Sequence, residues 1–330
     1  MAGEKINTRI AGIGVYVPEA ILTSEALAKK FNVSVEHIQS RSGVRERHIA
    51  DETQATSDLA VIAAQRALLD AGIDSGDVDM IILSTLCPDF MTTSAAPIVQ
   101  EKLRMKNAAA FDLNIACSGF VYAVTIGSQF IASGMYKNVL VVCAELFSRL
   151  INREDFDFAI LAGDGAGAVV LQPGMEGHSI LSMYLGADGS GFDNIYVPAG
   201  GTRLELTVDN VAANMHKVRM KGLEVFMFGM TILPESTEKA LSMAGLKMED
   251  VALIIPHQAN IRIIQAAARR MGLPMDKFMI NLDRYGNTSS ASIPIALDEA
   301  VKTGRIKPGD VVVLTGFGAG LAWGSIVMRW

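Results

Sequence analysis

Cys117 is the residue whose type and position best suit covalent chemistry. It follows a strand-like run at residues 111–116 and precedes the segment SGFVYAVTIGSQFIASG, which is apolar on nearly every face and predicts a buried helix. The first turn of a helix carries a partial positive charge, which lowers the pKa of a thiol there and favours the nucleophilic thiolate. A core cysteine fits the same position, because Cys packs like a small hydrophobe. Cys87 and Cys143 lack this setting, and we interpret them as structural.

His257 and Asn287 are the candidate partners of a reactive thiol. His257 directly follows an apolar strand-like run at residues 252–256, whereas the other four histidines lie in polar or loop-like surroundings. Asn287 stands in the sequence YGNTSS before a helical pattern at residues 293–301, where it also fits a helix N-cap. In α/β proteins, ligands bind at the carboxyl ends of the strands. The sequence therefore predicts that both side chains reach the same crevice as Cys117, with the N-cap alternative still open for Asn287.

The elements that would position these residues alternate between strands and helices. Several short β-branched runs are apolar almost throughout, which is typical of strands in sheets covered on both faces. Helical spacing of apolar residues occupies residues 57–71 and 260–271, and each pattern stops at a glycine, Gly72 or Gly272. This alternation predicts an α/β fold.

An internal repeat divides the chain into two similar halves. The segment ALLDAGIDSGDVDMII, which starts at Ala67, matches ALSMAGLKMEDVALII, which starts at Ala240, in eight of sixteen positions without a gap. Helix–Gly–strand units resemble one another in any α/β protein, but this agreement favours gene duplication. We therefore expect one half at residues 1–175 carrying Cys117, another at 176–330 carrying His257 and Asn287, and an active site between them.

The composition excludes several classes of protein. Half of the 330 residues are hydrophobic and 19% are charged, so the chain can bury a large core and is not intrinsically disordered. A net charge of −6 disfavours nucleic acid or an anionic membrane as the main partner. Three cysteines are too few for a disulfide scaffold, which favours a reducing compartment. The apolar runs of the sequence are too short to span a membrane. A cytoplasmic location follows as an expectation.

Two glycine-rich loops, at residues 163–167 and 316–320, resemble nucleotide-binding loops. A dinucleotide fingerprint needs a strand before it and a helix after it, but strand-like segments follow both of these loops. We therefore expect tight turns or close backbone approaches instead of a nucleotide site. The spacing of His, Asp and Glu also offers no metal site, so neither a metal nor a redox cofactor is expected.

Together these motifs resemble the β-ketoacyl-[acyl-carrier-protein] synthase III family, which are condensing enzymes of the thiolase superfamily. The resemblance covers nearly the whole chain. It rests on RSGVRER at residues 41–47, the Cys117 segment, GDGAGA at 163–168, PHQAN at 256–260, GNTS at 286–289 and WGS at 323–325. It implies a thiolase-like α/β fold in which two duplicated βαβαβ-type halves surround a pseudo-twofold axis as five αβαβα layers.

The resemblance also implies a reaction and the residues that perform it. Cys117, His257 and Asn287 match the catalytic Cys-His-Asn triad, and the backbone N–H groups of Cys117, Gly318 and Ala319 would hold the tetrahedral oxyanion. The acyl group of an acyl-CoA primer would move to Cys117. Malonyl-[acyl-carrier-protein] would then lose CO₂, and the resulting enolate, stabilised by His257 and Asn287, would attack the acyl-enzyme.

Substrate-binding residues are implied in the same way. His37, Arg41, Phe156 and Asn260 would lie along the CoA and pantetheine channel, with His37 and Phe156 standing where family members clamp adenine between Trp and Arg. Arg262, Arg269 and Arg270 would meet the acidic carrier protein, although most charge clusters are only solvated surface. The acyl pocket would include Phe90, Met91 and Thr92. Because Thr92 stands where a Phe often closes the acyl tunnel, the sequence predicts primers longer than acetyl.

The expected assembly is a homodimer that joins along strand 107–114 and the Cys117 region, since the helix after Cys117 looks too apolar to face water.

Two other functions remain open. One is an acyltransferase that passes the acyl group to an alcohol or amine of a natural product, or a related synthase of secondary metabolism. The other is a non-catalytic subunit, which the intact Cys-His-Asn set disfavours.

Overall fold

The structure, a computed structural model, describes residues 7–330. The first half contains β1 (Thr8–Tyr16), β2 (Ile21–Thr23), α1 (Ser24–Phe31), α2 (Val35–Ser42), β3 (Glu46–His48), α3 (Thr56–Ala71), β4 (Met80–Ser84), α4 (Ala95–Lys102), β5 (Ala109–Leu113), α5 (Gly119–Ala132), β6 (Val139–Leu146), α6 (Phe147–Leu150), α7 (Phe156–Ala159) and β7 (Asp164–Pro173). The second half contains β8 (Ser179–Ala187), β9 (Ile195–Tyr196), α8 (Val208–Ala212), β10 (Arg219–Met220), α9 (Gly222–Met243), β11 (Val251–Pro256), α10 (Ile261–Met271), α11 (Leu282–Tyr285), α12 (Ser292–Lys302), β12 (Val311–Gly318) and β13 (Ala322–Arg329). Short 3₁₀ turns lie at Ser75–Asp77, Ala116–Ser118, Gly189–Gly191, Met248–Asp250, Met275–Lys277 and Ser289–Ala291.

Two large sheets share one topology. The first has the strand order β1-β7-β6-β4-β5 and the second has the order β8-β13-β12-β11. In the first sheet β4 and β6 run parallel, and in the second β11 and β12 do the same. The next strand of each sheet, β7 or β13, is antiparallel to its neighbour. A single parallel bridge between Ile254 and Phe278 stands in the second sheet where β5 stands in the first. This correspondence is what duplication predicts, and the chain passes from one half to the other between β7 and β8.

The layers are held together by three apolar interfaces. The central one packs α5 and α12 between the two sheets, with Phe120 and Leu297 fully buried there. A second lies outside the first sheet, under α3 and α4, and a third lies outside the second sheet, under α9 and α10. Helices and sheets therefore stack as five layers, in the order α, β, α, β, α.

Local sequence sets the ends of the helices that the apolar spacing predicts. α3 begins one residue before the predicted start, where the Asp58 carboxylate accepts a hydrogen bond from the Ala55 N–H at 2.7 Å. α10 begins after Asn260, whose side-chain oxygen accepts from the Arg262 N–H at 2.9 Å. Both helices end at a glycine in the left-handed region, Gly72 at φ 66° and Gly272 at φ 67°.

α5 does not need a partner subunit to cover it. Its apolar side chains pack against both sheets of the same chain, and Phe120, Val121 and Val124 are fully buried. The apolar character of this helix therefore does not argue for a dimer, and that step of the prediction was wrong. β5, in contrast, is an edge strand of the first sheet and stays partly exposed. Within residues 7–330, no helix combines the length and apolar character needed to cross a bilayer.

Candidate active site

Cys117 lies in the middle of a tight 3₁₀ turn that leads directly into α5. Ala116, just before it, adopts φ 50°, a left-handed conformation that non-glycine residues rarely take. Gly318 of β12 packs against the turn so closely that a Cβ there would lie 2.9 Å from Cys117 Cβ and from its backbone nitrogen. This glycine of the second glycine-rich loop therefore permits a close backbone approach, as the sequence predicts, and presents the thiol beside β12.

Burial raises the pKa of the Cys117 thiol to about 12. The Ser289 hydroxyl, whose oxygen lies 3.5 Å from Cys117 Sγ, opposes this effect by hydrogen bonding, and the Glu145 carboxylate adds to it. The expectation that the helix terminus alone favours thiolate is therefore wrong for the resting site. Removal of water outweighs the partial charge of one helix end, so the thiol needs a proton acceptor when it reacts.

His257 follows β11 and is almost completely buried, with 2% of its surface exposed. Burial lowers its pKa to about 3, so the imidazole is neutral at physiological pH. Its Nδ1 lies 2.7 Å from Ser292 Oγ, which also accepts from the Gln258 N–H at 3.3 Å. Within residues 7–330, the Ser292 hydroxyl has His257 Nδ1 as the acceptor for its own proton. Nδ1 therefore carries no proton, and we assign the ring proton to Nε2.

Asn287 is not the N-cap of α12, because that helix begins at Ser292 after a separate 3₁₀ turn. Its side-chain oxygen accepts a hydrogen bond from the Ser289 N–H at 2.8 Å. This contact orients the amide, and its NH₂ group remains as a donor on the cavity side. His257 and Asn287 can therefore offer two neutral N–H donors, an arrangement suited to an oxygen that gains negative charge.

One cavity of about 860 Å³ brings these groups together. Its polar lining includes Cys117, His257 and Asn287, with the backbone of Gly318 and Ala319 beside the cysteine. Apolar side chains form most of the remaining wall, among them Leu86, Phe147, Phe158, Ile195, Val218, Met220, Val225, Phe226, Ile263 and Phe317. A mostly apolar pocket with a few convergent polar groups is the usual form of a small-molecule site.

Of the four predicted channel residues, two line this cavity, and His37 and Phe156 lie next to them without lining it. Arg41 and Asn260 line it, and the Asn260 NH₂ donates to the Arg41 carbonyl at 3.0 Å. The Arg41 guanidinium pairs with Asp157 at 2.8 Å and lies 5.7 Å from the centre of the Phe156 ring. His37 stacks obliquely on Phe156 with ring centres 5.8 Å apart. A purine between two rings needs about 7 Å, twice an ordinary contact distance, so this pair offers an outer face and not an open clamp.

Comparisons with known proteins agree over the whole chain. The family model for 3-oxoacyl-[acyl-carrier-protein] synthase III matches residues 111–189, and the model for the C-terminal part of that enzyme matches residues 241–330. A β-ketoacyl-[acyl-carrier-protein] synthase III from Caldanaerobacter subterraneus subsp. tengcongensis is 50% identical over 327 residues, covering 99% of each chain. The chain belongs to the β-ketoacyl-[acyl-carrier-protein] synthase III family.

Other members of this synthase III family give the same result. The synthase III of Clostridioides difficile is 48% identical over 98% of this chain and 99% of its own. The crystal structure of 3-oxoacyl-[acyl-carrier-protein] synthase III from Aquifex aeolicus superimposes with a TM-score of 0.90 at 42% identity, covering 98% of this chain and all of that one. The fold is therefore thiolase-like, as the sequence motifs imply, and the protein is a condensing enzyme of the acyltransferase type.

The predicted acyl-pocket residues lie outside the synthase III cavity of this chain. Phe90 and Met91 are 61% and 87% exposed, and Thr92 is exposed beside them. The cavity wall instead takes Leu86 from the start of the same loop. Within a single subunit these three side chains therefore do not line the cavity, and their place in an acyl pocket stays a prediction. The expectation that a small side chain at Thr92 enlarges the acyl tunnel likewise stays a prediction.

The predicted docking arginines are all exposed on α10, but they differ in their surroundings. Arg262 lies at the cavity wall, close to Asn260. Arg270, at the other end of the helix, pairs with Glu235 at 3.0 Å and bonds to Thr231. Arg269 is exposed and does not line the cavity. Of these three arginines, Arg262 alone lines the cavity and has no ion pair with a described carboxylate, so it is the one suited to meet a partner at the entrance of the synthase III site.

Three functional residues escaped the sequence analysis. Ser292 fixes the ring of His257, Ser289 contacts Cys117, and Glu145 is a fully buried carboxyl behind the thiol. The sequence did contain a signal for Glu145, because this residue ends the apolar run NVLVVCAE. Burying a charged group costs free energy unless a partner compensates it, so a carboxyl in a buried strand is notable. The serines gave no such signal, because hydroxyl groups are common at the start of any helix.

Proposed function

We propose that this protein condenses an acyl-CoA primer with malonyl-[acyl-carrier-protein] by a decarboxylative Claisen reaction, the initiating step of fatty-acid synthesis. The products are a 3-oxoacyl-[acyl-carrier-protein], CoA and CO₂. The observation that carries the proposal is a half-buried thiol that shares one apolar cavity with two neutral N–H donors, His257 and Asn287. Membership of the synthase III family supports the same reaction.

Acylation forms the first covalent intermediate. Cys117 Sγ attacks the thioester carbonyl, and the carbonyl oxygen becomes an oxyanion. The backbone N–H groups of Cys117, Gly318 and Ala319, three residues that line the cavity, would hold this oxygen. CoA then leaves as the thiolate, and the acyl group remains on Cys117 with its tail against the apolar wall.

Condensation uses the two donors. The malonyl thioester loses CO₂, and the electron pair of the broken C–C bond forms an enolate. Nε2–H of His257 and the NH₂ group of Asn287 stabilise the enolate oxygen, because both stay neutral and neither needs to give up its proton. The enolate carbon attacks the acyl-enzyme carbonyl, and Cys117 leaves as a thiolate. This chemistry requires no metal or redox cofactor, and we propose that the enzyme uses none.

Substrate delivery would follow the features around the entrance. We place the pantetheine arm along the cavity wall that Arg41 and Asn260 form, with the CoA base against the outer face of the His37 and Phe156 pair. Arg262 supports docking of an acidic carrier protein, because it is an exposed cation at the cavity wall on a chain of net charge −6.

Three unpaired thiols and a pI of about 5.5 support a cytoplasmic location.

We also propose that the protein is a homodimer joined along β5. This edge strand leaves one row of backbone N–H and C=O groups unpaired in its own sheet, and a second copy could pair with it across a twofold axis. Sedimentation should give twice the 35.3 kDa chain mass at micromolar concentration. A monomer of 35.3 kDa would contradict this part of the proposal.

The decisive experiment separates acylation from condensation. The protein is incubated with a panel of acyl-CoAs from acetyl to tetradecanoyl, and adducts on Cys117 are identified by intact mass. Malonyl-[acyl-carrier-protein] is then added and CO₂ release is measured. We expect one acyl adduct per chain and malonyl-dependent CO₂. The nearly isosteric Cys117→Ser variant, as the control, should keep its fold and form no adduct at the wild-type rate. Acylation without CO₂ release would instead indicate an acyltransferase that uses another acceptor.

A further inference from the structure

Arg47 is a fully buried arginine to which the condensation scheme gives no role. It lies in β3 with none of its surface exposed, and no ion pair among residues 7–330 includes it. Burial lowers the pKa of Arg47 to about 10 and the charges of Glu25 and Glu46 oppose this effect, so the guanidinium stays charged at neutral pH. Burying a charge without an ion pair is costly, so packing alone would be served better by an apolar side chain.

The guanidinium of Arg47 binds backbone carbonyls of two separate segments. Nη1 donates to the Leu22 carbonyl at 3.0 Å, and Nη2 donates to the Ile160 carbonyl at 2.8 Å. The Ser24 hydroxyl oxygen accepts more weakly, at 3.4 Å from Nη1 and 3.5 Å from Nη2. Leu22 belongs to β2, whereas Ile160 follows α7 and lines the cavity. Because the guanidinium is a rigid planar fork, it fixes the segment after α7 relative to β2 and β3.

The segment after α7 in turn holds the backbone of Asn287. The Asn287 N–H donates to the Leu161 carbonyl at 2.8 Å, and the Gly163 N–H donates to the Asn287 carbonyl at 3.0 Å. Ala162, between these two partners, forms a parallel bridge with Asn287. Both backbone polar groups of Asn287 are therefore bound by residues that lie within three positions of the carbonyl held by Arg47.

Two glycines allow these parts of the chain to approach closely. A Cβ at Gly163 would lie 2.2 Å from the Tyr285 carbonyl oxygen and 3.3 Å from Arg47 Cβ. A Cβ at Gly286, which has φ 64°, would lie 2.5 Å from the Leu161 carbonyl oxygen and 3.2 Å from Arg47 Cβ. This is the close backbone approach that the sequence predicts for the first glycine-rich loop. With so little free space, a shift of the segment after α7 would move Asn287 as well.

From these contacts we propose that Arg47 is a positioning residue, which holds residues 160–163 in place and thereby aims the NH₂ group of Asn287 at the enolate oxygen. Arg47 itself does not line the cavity. The inference rests on the function proposed above, because it assigns Arg47 an effect on decarboxylation. Acylation depends on Cys117, which lies on a different segment, the 3₁₀ turn before α5.

A double-mutant cycle tests whether Arg47 acts through Asn287. In Arg47→Met, preformed acyl-enzyme mixed with malonyl-[acyl-carrier-protein] should release CO₂ at least ~10-fold more slowly, because a misplacement of about 1 Å can cost ~10²-fold. Acylation of Cys117 at saturating acyl-CoA should stay within about twofold of wild type, as measured by intact mass. In the Asn287→Ala background no NH₂ group is left to misplace, so Arg47→Met should change CO₂ release by less than about twofold.

Ser24→Ala is the matched control. It removes a hydroxyl that contacts the Arg47 guanidinium but leaves the bond to Ile160 in place, so CO₂ release should stay near the wild-type rate. An equal loss in Ser24→Ala and Arg47→Met would contradict the link through Ile160.

A purely structural role of Arg47 would give a different pattern. It would slow acylation and CO₂ release alike, or cause the same loss with and without the Asn287 amide, and either result would overturn the inference. Undiminished CO₂ release by folded Arg47→Met would overturn it too. If Arg47→Met does not fold, Arg47→Lys replaces it in the same cycle, because lysine keeps the charge but lacks the fork that binds two carbonyls.

Wild-type enzyme measured alongside distinguishes the two proposals. A wild type that becomes acylated but releases no CO₂ would contradict the proposed function, and the role of Arg47 with it. A wild type that releases CO₂, together with an Arg47 variant that does so equally fast, would contradict the positioning role alone.

Discussion

His257 and Cys117 both have pKa values far from the ordinary ones because the protein around them excludes water. Burial lowers the pKa of His257 to about 3 and raises that of Cys117 to about 12, so both groups are neutral in the resting enzyme. For His257 the shift also links stability to pH. Between pH 6.5 and 3 the unfolded chain binds a proton at His257 that the folded chain does not, so the folded state loses stability as the pH falls through this range.

Loss of either donor should damage decarboxylation more than acylation. His257→Ala and Asn287→Ala each remove one N–H group from the enolate oxygen, and each should reduce CO₂ release from malonyl-[acyl-carrier-protein] by at least ~10²-fold. The acyl adduct on Cys117 should still form in both variants, as measured by intact mass. If folded variants failed to become acylated, His257 would instead be the base that activates the thiol.

The decarboxylation step should also lack the pH dependence of an ordinary histidine. A histidine with the usual pKa of 6.5 changes its charge in the middle of the neutral range, but neither His257 nor Asn287 changes its charge there. Preformed acyl-enzyme should therefore release CO₂ at a rate that varies by less than about twofold between about pH 5 and pH 8. A clear inflection near pH 6.5 would mean that His257 works in its charged form.

At the scale of elements, the site depends on how closely β12 approaches the start of α5. Two glycines of β12 face the Cys117 turn, and Gly318 leaves no room for a methyl group, whereas Gly316 would place one at an ordinary 3.4 Å from the Cys117 carbonyl oxygen. Gly316 also has Ile293 Cδ1 at 3.3 Å, a flexible side-chain end that can shift. The two positions thus differ mainly in their distance from the thiol.

Gly318→Ala should therefore disable the enzyme without unfolding it. The new methyl group would push against Cys117 Cβ and its backbone nitrogen at 2.9 Å, moving the thiol and the N–H groups proposed for the oxyanion. We expect acylation to fall by ~10²-fold or more, the cost of disturbing an oxyanion site. Gly316→Ala is the matched control and should retain more activity. Equal losses in the two variants would contradict a specific role for the contact at Gly318.

The sequence was informative about these elements because periodicity and caps are local. The spacing in α3 and α10, the glycine stops and the duplicated segment sufficed to predict an α/β fold of two similar halves, whereas the five layers were implied by the family resemblance. The positions of Cys117, His257 and Asn287 after strand-like runs predicted that they meet in one crevice. The direction of the loop after β4 could not be predicted, because nothing local to Phe90 fixes which way that loop turns. The buried network of Ser289, Ser292 and Glu145 was missed for a similar reason. Its members come from distant parts of the chain and acquire roles only through contact.

At the scale of the whole molecule, charge is distributed unevenly around the entrance. The chain is acidic overall, but α10 carries three exposed arginines, and only Arg270 of these is tied to a carboxylate by a described ion pair. Exposed charges at the edge of a binding surface act mainly on the association rate and its salt dependence.

Reversing the charge at Arg262 should therefore weaken the reaction with the carrier-bound extender. Arg262→Glu should raise the KM for malonyl-[acyl-carrier-protein] by about tenfold at low salt, and the difference from wild type should shrink as salt is added. Arg270→Glu, on the same helix but facing Glu235, serves as the matched control and should have a smaller effect. Equal effects of the two variants would place the docking surface elsewhere.

The contacts that close the site join residues very far apart in the chain. Cys117 meets Ser289 across 172 residues, and the neighbouring Ser118 hydroxyl bonds to the Ala322 carbonyl across 204. During folding, such contacts form only after the entropy of closing a very long loop has been overcome, and they follow the local helices and hairpins. On refolding from denaturant, helical circular dichroism should therefore recover before Cys117 becomes reactive toward acyl-CoA. Simultaneous recovery would mean that the two halves dock as soon as they form. A nascent chain that has made only its first half would carry the nucleophile but no competent site, which protects it from premature acylation.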